Sequence, residues 1–232
     1  MQEQMNDIAD KNDYIKRLEE VITPERIQKM RLVLKSRTRY ITIVLEDIFQ
    51  PHNASAVLRS CDCFGLLDVH IIENRNTYQV NPDVALGASR WLNLYKYHNK
   101  EENTTACLKK LKEQGYRLVA ASPHKEDCPL EKLPLDQKTA LIFGKEKEGL
   151  STIAVEKADA FVHIPMVGFT ESLNISVSVA VCLYSLTMKM RGTKMQWQLG
   201  ADEKQDTLIC WMEQCIRKPE QFRKAYIQSL SK

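Results

Sequence analysis

Between residues 40 and 191, short β-branched runs alternate with longer amphipathic stretches. Residues 41–45 (ITIVL) read as a strand, 53–64 as a helix and 69–72 as a strand. Farther on, 104–114 read as a helix closed by Gly115, and 116–121 and 140–143 as strands. Such βαβα alternation predicts an α/β domain with a mainly parallel sheet and helices on both faces. Residues 174–181 alternate apolar and polar types, as a half-buried strand does. Ile175, Val179, Cys182, Leu186 and Met190, however, recur at helical spacing over a length too great for a typical strand, which favours a buried helix. The flanks, 1–39 and 192–232, are polar and helical in texture, with Pro24 suited to the first turn of a helix. Three zones follow: an N-terminal helical extension (1–39), a central domain (40–191) and a C-terminal helical extension (192–232).

Charge and cysteine usage narrow the function classes. The 232 residues carry 33 basic and 30 acidic side chains, a net charge of +3, which argues against a globally basic nucleic-acid binder. A local basic patch remains open, because fields are read within a Debye length of about 8–10 Å. One such run is Arg26, Lys29, Arg31, Lys35, Arg37 and Arg39. The seven cysteines form no CxxC pair and the five histidines are scattered, so structural zinc and thiol-redox chemistry are not indicated, and reduced, mostly buried thiols are expected. No run approaches the roughly 18 apolar residues of a membrane span. Residues 1–10 lack the apolar core of a secretory signal, which predicts a cytoplasmic address.

The nucleotide-binding motifs that an α/β chain invites are not satisfied. Residues 144–151 (GKEKEGLS) have the glycines and final hydroxyl of a phosphate loop, but Leu150 stands where its lysine belongs and two glutamates oppose a triphosphate. No GxGxxG and no GxSxG occur.

Three other stretches each start near a strand end and run through Gly, Asn or Pro into a helix: 51–65, 141–151 and 164–176. In open α/β sheets ligands bind beyond the carboxyl ends of strands, so these turns are expected to converge. Together they resemble the three motifs of the SpoU/TrmH family of RNA ribose 2′-O-methyltransferases. Asn53, Ala56 and Arg59, followed by Gly65, match N-x-x-A-x-x-R. Gly144, Glu146 and Gly149 match G-x-E-x-x-G, and Ile164, Pro165, Met166, Gly168, Ser172, Leu173 and Asn174 match the third. Within the family, 46–53 (EDIFQPHN) and the short terminal extensions are similar to the enzymes that methylate guanosine-18 in the tRNA D-loop.

The resemblance implies an α/β domain with a C-terminal trefoil knot, S-adenosyl-L-methionine as methyl donor, RNA (tRNA above all) as substrate, and a homodimer. It assigns Ser122, Gly144, Ile164, Met166, Ser172, Leu173 and Asn174 to the donor, and Arg59, Asn53 and Glu146 to catalysis. Arg59 lies off the apolar stripe of its helix (Ala54, Val57, Leu58, Cys61). In the family this arginine is assigned to activating the 2′-hydroxyl. A guanidinium gives up its proton reluctantly, so clamping a substrate phosphate is an equally compatible role. Asn53 also stands where an N-cap belongs. RNA contact falls to Arg26, Lys29, Arg31, Lys35, Arg37, Arg39, Lys189 and Arg191, with phosphate-directed, salt-dependent affinity expected. The same chemistry on rRNA or another tRNA ribose, and a catalytically idle RNA binder, are the alternatives.

Overall fold

Predominantly apolar runs, such as 140–143 and 41–45 with its one threonine, suit strands covered on both faces. The computed structural model describes residues 8, 10–79, 81–98, 102–122, 128–145 and 148–230. In chain order these form α1 (Lys11–Glu19), α2 (Pro24–Leu34), β1 (Ile41–Glu46), α3 (Pro51–Cys63), β2 (Asp68–Ile72), α4 (Pro82–Ala85), β3 (Asn93–Tyr97) and α5 (Asn103–Glu113). They continue with β4 (Arg117–Ala121), β5 (Cys128–Pro129), β6 (Thr139–Phe143), α6 (Thr152–Lys157), β7 (Ala160–His163), α7 (Ile175–Arg191), α8 (Ala201–Glu213) and α9 (Pro219–Leu230).

The chain divides into two compact units, 38–197 and a second made of 1–37 with 198–232. In the larger unit all seven strands run parallel in one sheet, in the order β3-β2-β1-β6-β4-β7-β5. Alternate residues of β1 feed two cores. Ile41, Ile43 and Leu45 pack with α3 and α7 on one face, while Val44 packs with α5 on the other. Helices therefore cover both faces, as the alternation predicted. Residues 174–181 are helical: α7 starts at Ile175, and the Asn174 side chain accepts from the Ser176 amide as its N-cap. The sequence reading missed β3, whose NLYKY pattern is mixed and which forms a sheet edge, and β7, which has only four residues.

The smaller unit packs α1 and α2 against α8. At its centre Glu213 accepts from the Tyr14 hydroxyl (2.8 Å) and from Arg223 Nε (2.9 Å). Arg37 is only 2% exposed and its guanidinium lies 5.2 Å from the Trp211 ring centroid.

No cysteine is in a disulfide, but only Cys61, Cys107 and Cys182 are buried; Cys63 is exposed and the others are half-buried, fewer buried thiols than the sequence suggested.

Candidate active site

The strand order reverses around β6. The chain runs outward from β1 through β2 to β3, then reappears beyond β6 as β4. The carboxyl ends of β4, β6 and β7 lie side by side here, and a crevice of about 780 Å³ opens among the loops that leave them. Its walls are Ala121 and Ser122 from β4, the turn after β6 (Phe143, Gly144, Lys145, Glu148, Gly149, Leu150), and Ile164 and Met166 after β7. Ser172, Leu173 and Asn174 before α7, and Gln50 and Asn53 at the start of α3, complete it. The Ser122 amide donates to the Val162 carbonyl (2.9 Å), which ties the β4 and β7 edges of the crevice together.

The turn after β6 needs its glycines. Lys145 and Gly149 exchange backbone hydrogen bonds, each 3.0 Å, so the turn folds back onto its own start. A Cβ on Gly144 would sit 2.3 Å from the Gly149 carbonyl oxygen and 2.5 Å from the Leu150 nitrogen. Gly149 itself has φ +71°, the left-handed region that side chains disfavour. Lys145 Nζ pairs with Glu148 (2.9 Å), holding that carboxyl below the usual range. At the crevice wall, burial pushes the Cys182 thiol up to about 12, so it stays neutral.

The first and third stretches meet directly. Asn174 Nδ2 donates to Asn53 Oδ1 at 3.2 Å, and Asn53 Nδ2 donates to Gln50 Oε1 at 2.9 Å. Asn53 is 4% exposed. Its expected N-cap role is corrected: α3 begins two residues earlier, at Pro51, with Gln50 as the capping position. Proline is suited to that first position, so the helix starts before the asparagine.

All seven residues assigned to the donor, and Asn53, line the crevice. Glu146 lies outside the described residues. Arg59 does not line the crevice. It is exposed on α3, six positions past Asn53, which on a helix is about 9 Å along the axis and some 240° round it.

The basic residues assigned to RNA separate into two groups. Arg26 and Lys29 are exposed on α2 and Lys35 is exposed at its C-cap, while Arg31 is exposed but paired with Glu19. Arg37 is buried under Trp211 and cannot follow a phosphate backbone, which corrects its assignment. Arg39 pairs with Asp68 (2.9 Å). Lys189, which is exposed, donates to the Glu131 and Leu133 carbonyls, and Arg191 donates to the Phe64 carbonyl (2.7 Å).

Sequence reasoning gave Glu46 no role beyond its place in the stretch 46–53. It is 1% exposed at the end of β1, and it receives hydrogen bonds from Ser151 and Thr104. The signal was one charged residue ending an otherwise apolar strand.

Residues 40–184 match the SpoU rRNA Methylase family. The chain belongs to that family. Among its relatives is the tRNA (guanosine(18)-2′-O)-methyltransferase of Borreliella burgdorferi, 43% identical over 209 residues that cover 89% of this chain and 94% of the relative. A crystal structure of a tRNA-modifying TrmH/SpoU enzyme from A. aeolicus superposes with a TM-score of 0.73 at 28% identity, covering 84% of this chain and 98% of the other. The fold is also that of the SpoU methyltransferase AviRb of Streptomyces viridochromogenes, crystallised with AdoMet, at a TM-score of 0.57 and 20% identity, covering 69% and 62% of the two chains. For this SpoU chain the family supplies the fold and the reaction class, and the crevice is the place where the family's three motifs meet.

Proposed function

We propose that this chain transfers a methyl group from S-adenosyl-L-methionine to a ribose 2′-hydroxyl of RNA, guanosine-18 in the tRNA D-loop being the preferred target. What carries the reading is that stretches as far apart as Asn53 and Asn174, 121 positions, wall one crevice. Its volume is in the range of small-ligand sites, roughly 300–1,000 Å³, and its lining mixes aromatic and aliphatic side chains with backbone polar groups. Those features fit a nucleoside-bearing donor. Bound there, the donor supplies a methyl on a sulfonium sulfur.

In this reading Ser122, Gly144, Ile164, Met166 and Leu173 hold the donor, chiefly through backbone at the glycine turn. Ser172 and Asn174 shape the end of the crevice. Asn53 fixes that end to α3, and Glu146, which lies outside the described residues, is proposed as a hydrogen-bond acceptor in catalysis. Orientation of the 2′-hydroxyl in line with the methyl is worth several kcal/mol. Arg59 meets the RNA, either taking the hydroxyl proton or holding the adjacent phosphate. Because it faces away from its own crevice, it serves the crevice of a second copy.

A homodimer is part of the proposal. Val177, Tyr184 and Met188 are 45%, 61% and 55% exposed, and at these positions they fall on one stripe of α7. The opposite stripe of the same helix is buried, so α7 is apolar on both sides, as interface helices are. Phe169 is a further fully exposed aromatic side chain. The trefoil knot belongs to the same reading, with 40–191 as the methyltransferase domain. Arg26, Lys29 and Lys35 supply phosphate contacts. No helix among the described residues is long and apolar enough to cross a membrane. A cytoplasmic location, with tRNA, completes the proposal.

The test is transfer of labelled methyl from the donor to tRNA, followed by nucleoside mass spectrometry of tRNA and rRNA from cells with and without the gene. Loss of one 2′-O-methylguanosine from tRNA is expected. Loss from rRNA moves the substrate, and donor binding without transfer to any RNA marks an idle binder.

A further inference from the structure

We propose that Glu46 is a positioning residue for the transfer reaction, fastening the turn that follows β6 to the end of β1 and so setting the shape of the donor crevice. The inference rests on the function proposed above and deepens it. Glu46 Oε2 accepts from the Ser151 amide at 2.9 Å, and Oε1 accepts from the Ser151 hydroxyl at 2.7 Å. One carboxylate thus holds two donors of a single residue, which fixes both the place and the direction of the chain at Ser151. Leu150 and Gly149, the two residues before it, line the crevice, and the Gly149 carbonyl is the atom that closes over Gly144.

The other bonds around Glu46 make the clamp stiff. Oε1 also accepts from the Thr104 hydroxyl (2.6 Å) near the start of α5, and Thr104 accepts from Asn74 Nδ2 (2.9 Å). The Ser151 hydroxyl accepts from the Ala154 amide (3.2 Å), so the residue that Glu46 holds is also the N-cap of α6. A carboxylate with 1% exposure is costly unless its oxygens are satisfied, and a leucine would serve a merely packed strand end. Glu46 is not on the crevice wall. It acts through Ser151.

Three variants test this: Glu46→Ala, Glu46→Gln and Ser151→Ala. Gln keeps one oxygen for the Ser151 amide, and its NH2 faces two hydroxyls able to accept. Measured quantities are the Kd for S-adenosylmethionine, KM for donor and for tRNA, the melting temperature, and amide exchange over residues 149–151. Glu46→Ala and Ser151→Ala should weaken donor affinity by about tenfold or more, with KM for tRNA within about twofold, and Glu46→Gln should return to within about threefold of native. A folded Glu46→Ala protein with native donor affinity, or with equal losses toward donor and tRNA, overturns the proposal. If Glu46→Ala does not fold, Ser151→Ala decides, and native donor affinity there overturns it. Failure of the native protein to bind the donor refutes the methyltransferase reading instead. Amide exchange then decides the clamp: faster exchange at 149–151 in Glu46→Ala supports it, and unchanged exchange overturns it.

Discussion

Asn174 donates to Asn53 across a separation of 121 residues, and that 3.2 Å bond joins the start of α7 to the start of α3 at the edge of the crevice. Each asparagine makes a second hydrogen bond. Asn174 accepts from the Ser176 amide (2.8 Å), and Asn53 donates to Gln50. Asn53→Ala removes its bonds to Gln50 and Asn174, outer partners that are exposed and can turn to water. We expect a stability loss of about 1 kcal/mol for each bond, read by denaturant melts, and a larger proportional loss in kcat. Asn174→Ala should cost about 1 kcal/mol by removing the cap.

Gly144→Ala places a methyl group 2.3 Å from the Gly149 oxygen. Since that neighbour is backbone, the turn must open. Overpacking of this kind costs about 1–3 kcal/mol. Calorimetric titration should show donor affinity reduced by about tenfold or more, and native affinity would mean that the turn does not wall the donor site.

Arg59→Ala should bind the donor normally and turn over about a hundredfold more slowly, the scale of a missing acid–base or electrostatic group. If Arg59 serves the partner's crevice in the proposed homodimer, mixed dimers of Arg59→Ala with Asn53→Ala should regain activity. One crevice in such a dimer has both an intact asparagine and an intact arginine. No recovery on mixing would place Arg59 outside the partner's site.

Replacing Arg26, Lys29 and Lys35 with alanine should weaken tRNA binding and lower the salt dependence of log K by about one unit or less for each phosphate left unneutralised. Arg37→Ala should instead destabilise the smaller unit, because Arg37 is buried under Trp211. Filter binding at several salt concentrations, beside thermal melts, separates these effects.

His70 is buried between β1 and β3, with Nδ1 3.1 Å from the Tyr97 hydroxyl. Burial, with help from Lys110, lowers its pKa to about 4 from the ordinary 6.5. Between these values the unfolded chain binds the proton and the folded one does not. The stability that comes from keeping His70 neutral is therefore complete above pH 6.5 and is lost as pH falls towards 4. The span amounts to about 3 kcal/mol. His70→Gln should flatten this part of the pH–stability curve, measured by urea midpoints.

By itself the sequence determined the parallel α/β class, because fully buried strands must be continuous apolar runs and helices must carry a 3.6-residue stripe. It also marked the turns that wall the crevice, since Gly144, Asn174 and the stretch before α7 are residue types that such loops need locally. Only the tertiary structure decided which side chains share a surface. Arg59 shares a helix with Asn53 yet points elsewhere, and Arg37 sits in a basic run yet lies buried. Glu46 figured in the sequence only within the stretch 46–53, with no role of its own, because its partners, Thr104 and Ser151, are 58 and 105 positions away. Local pattern fixes a residue's element and face, whereas the partner met on that face depends on how distant strands are ordered in the sheet.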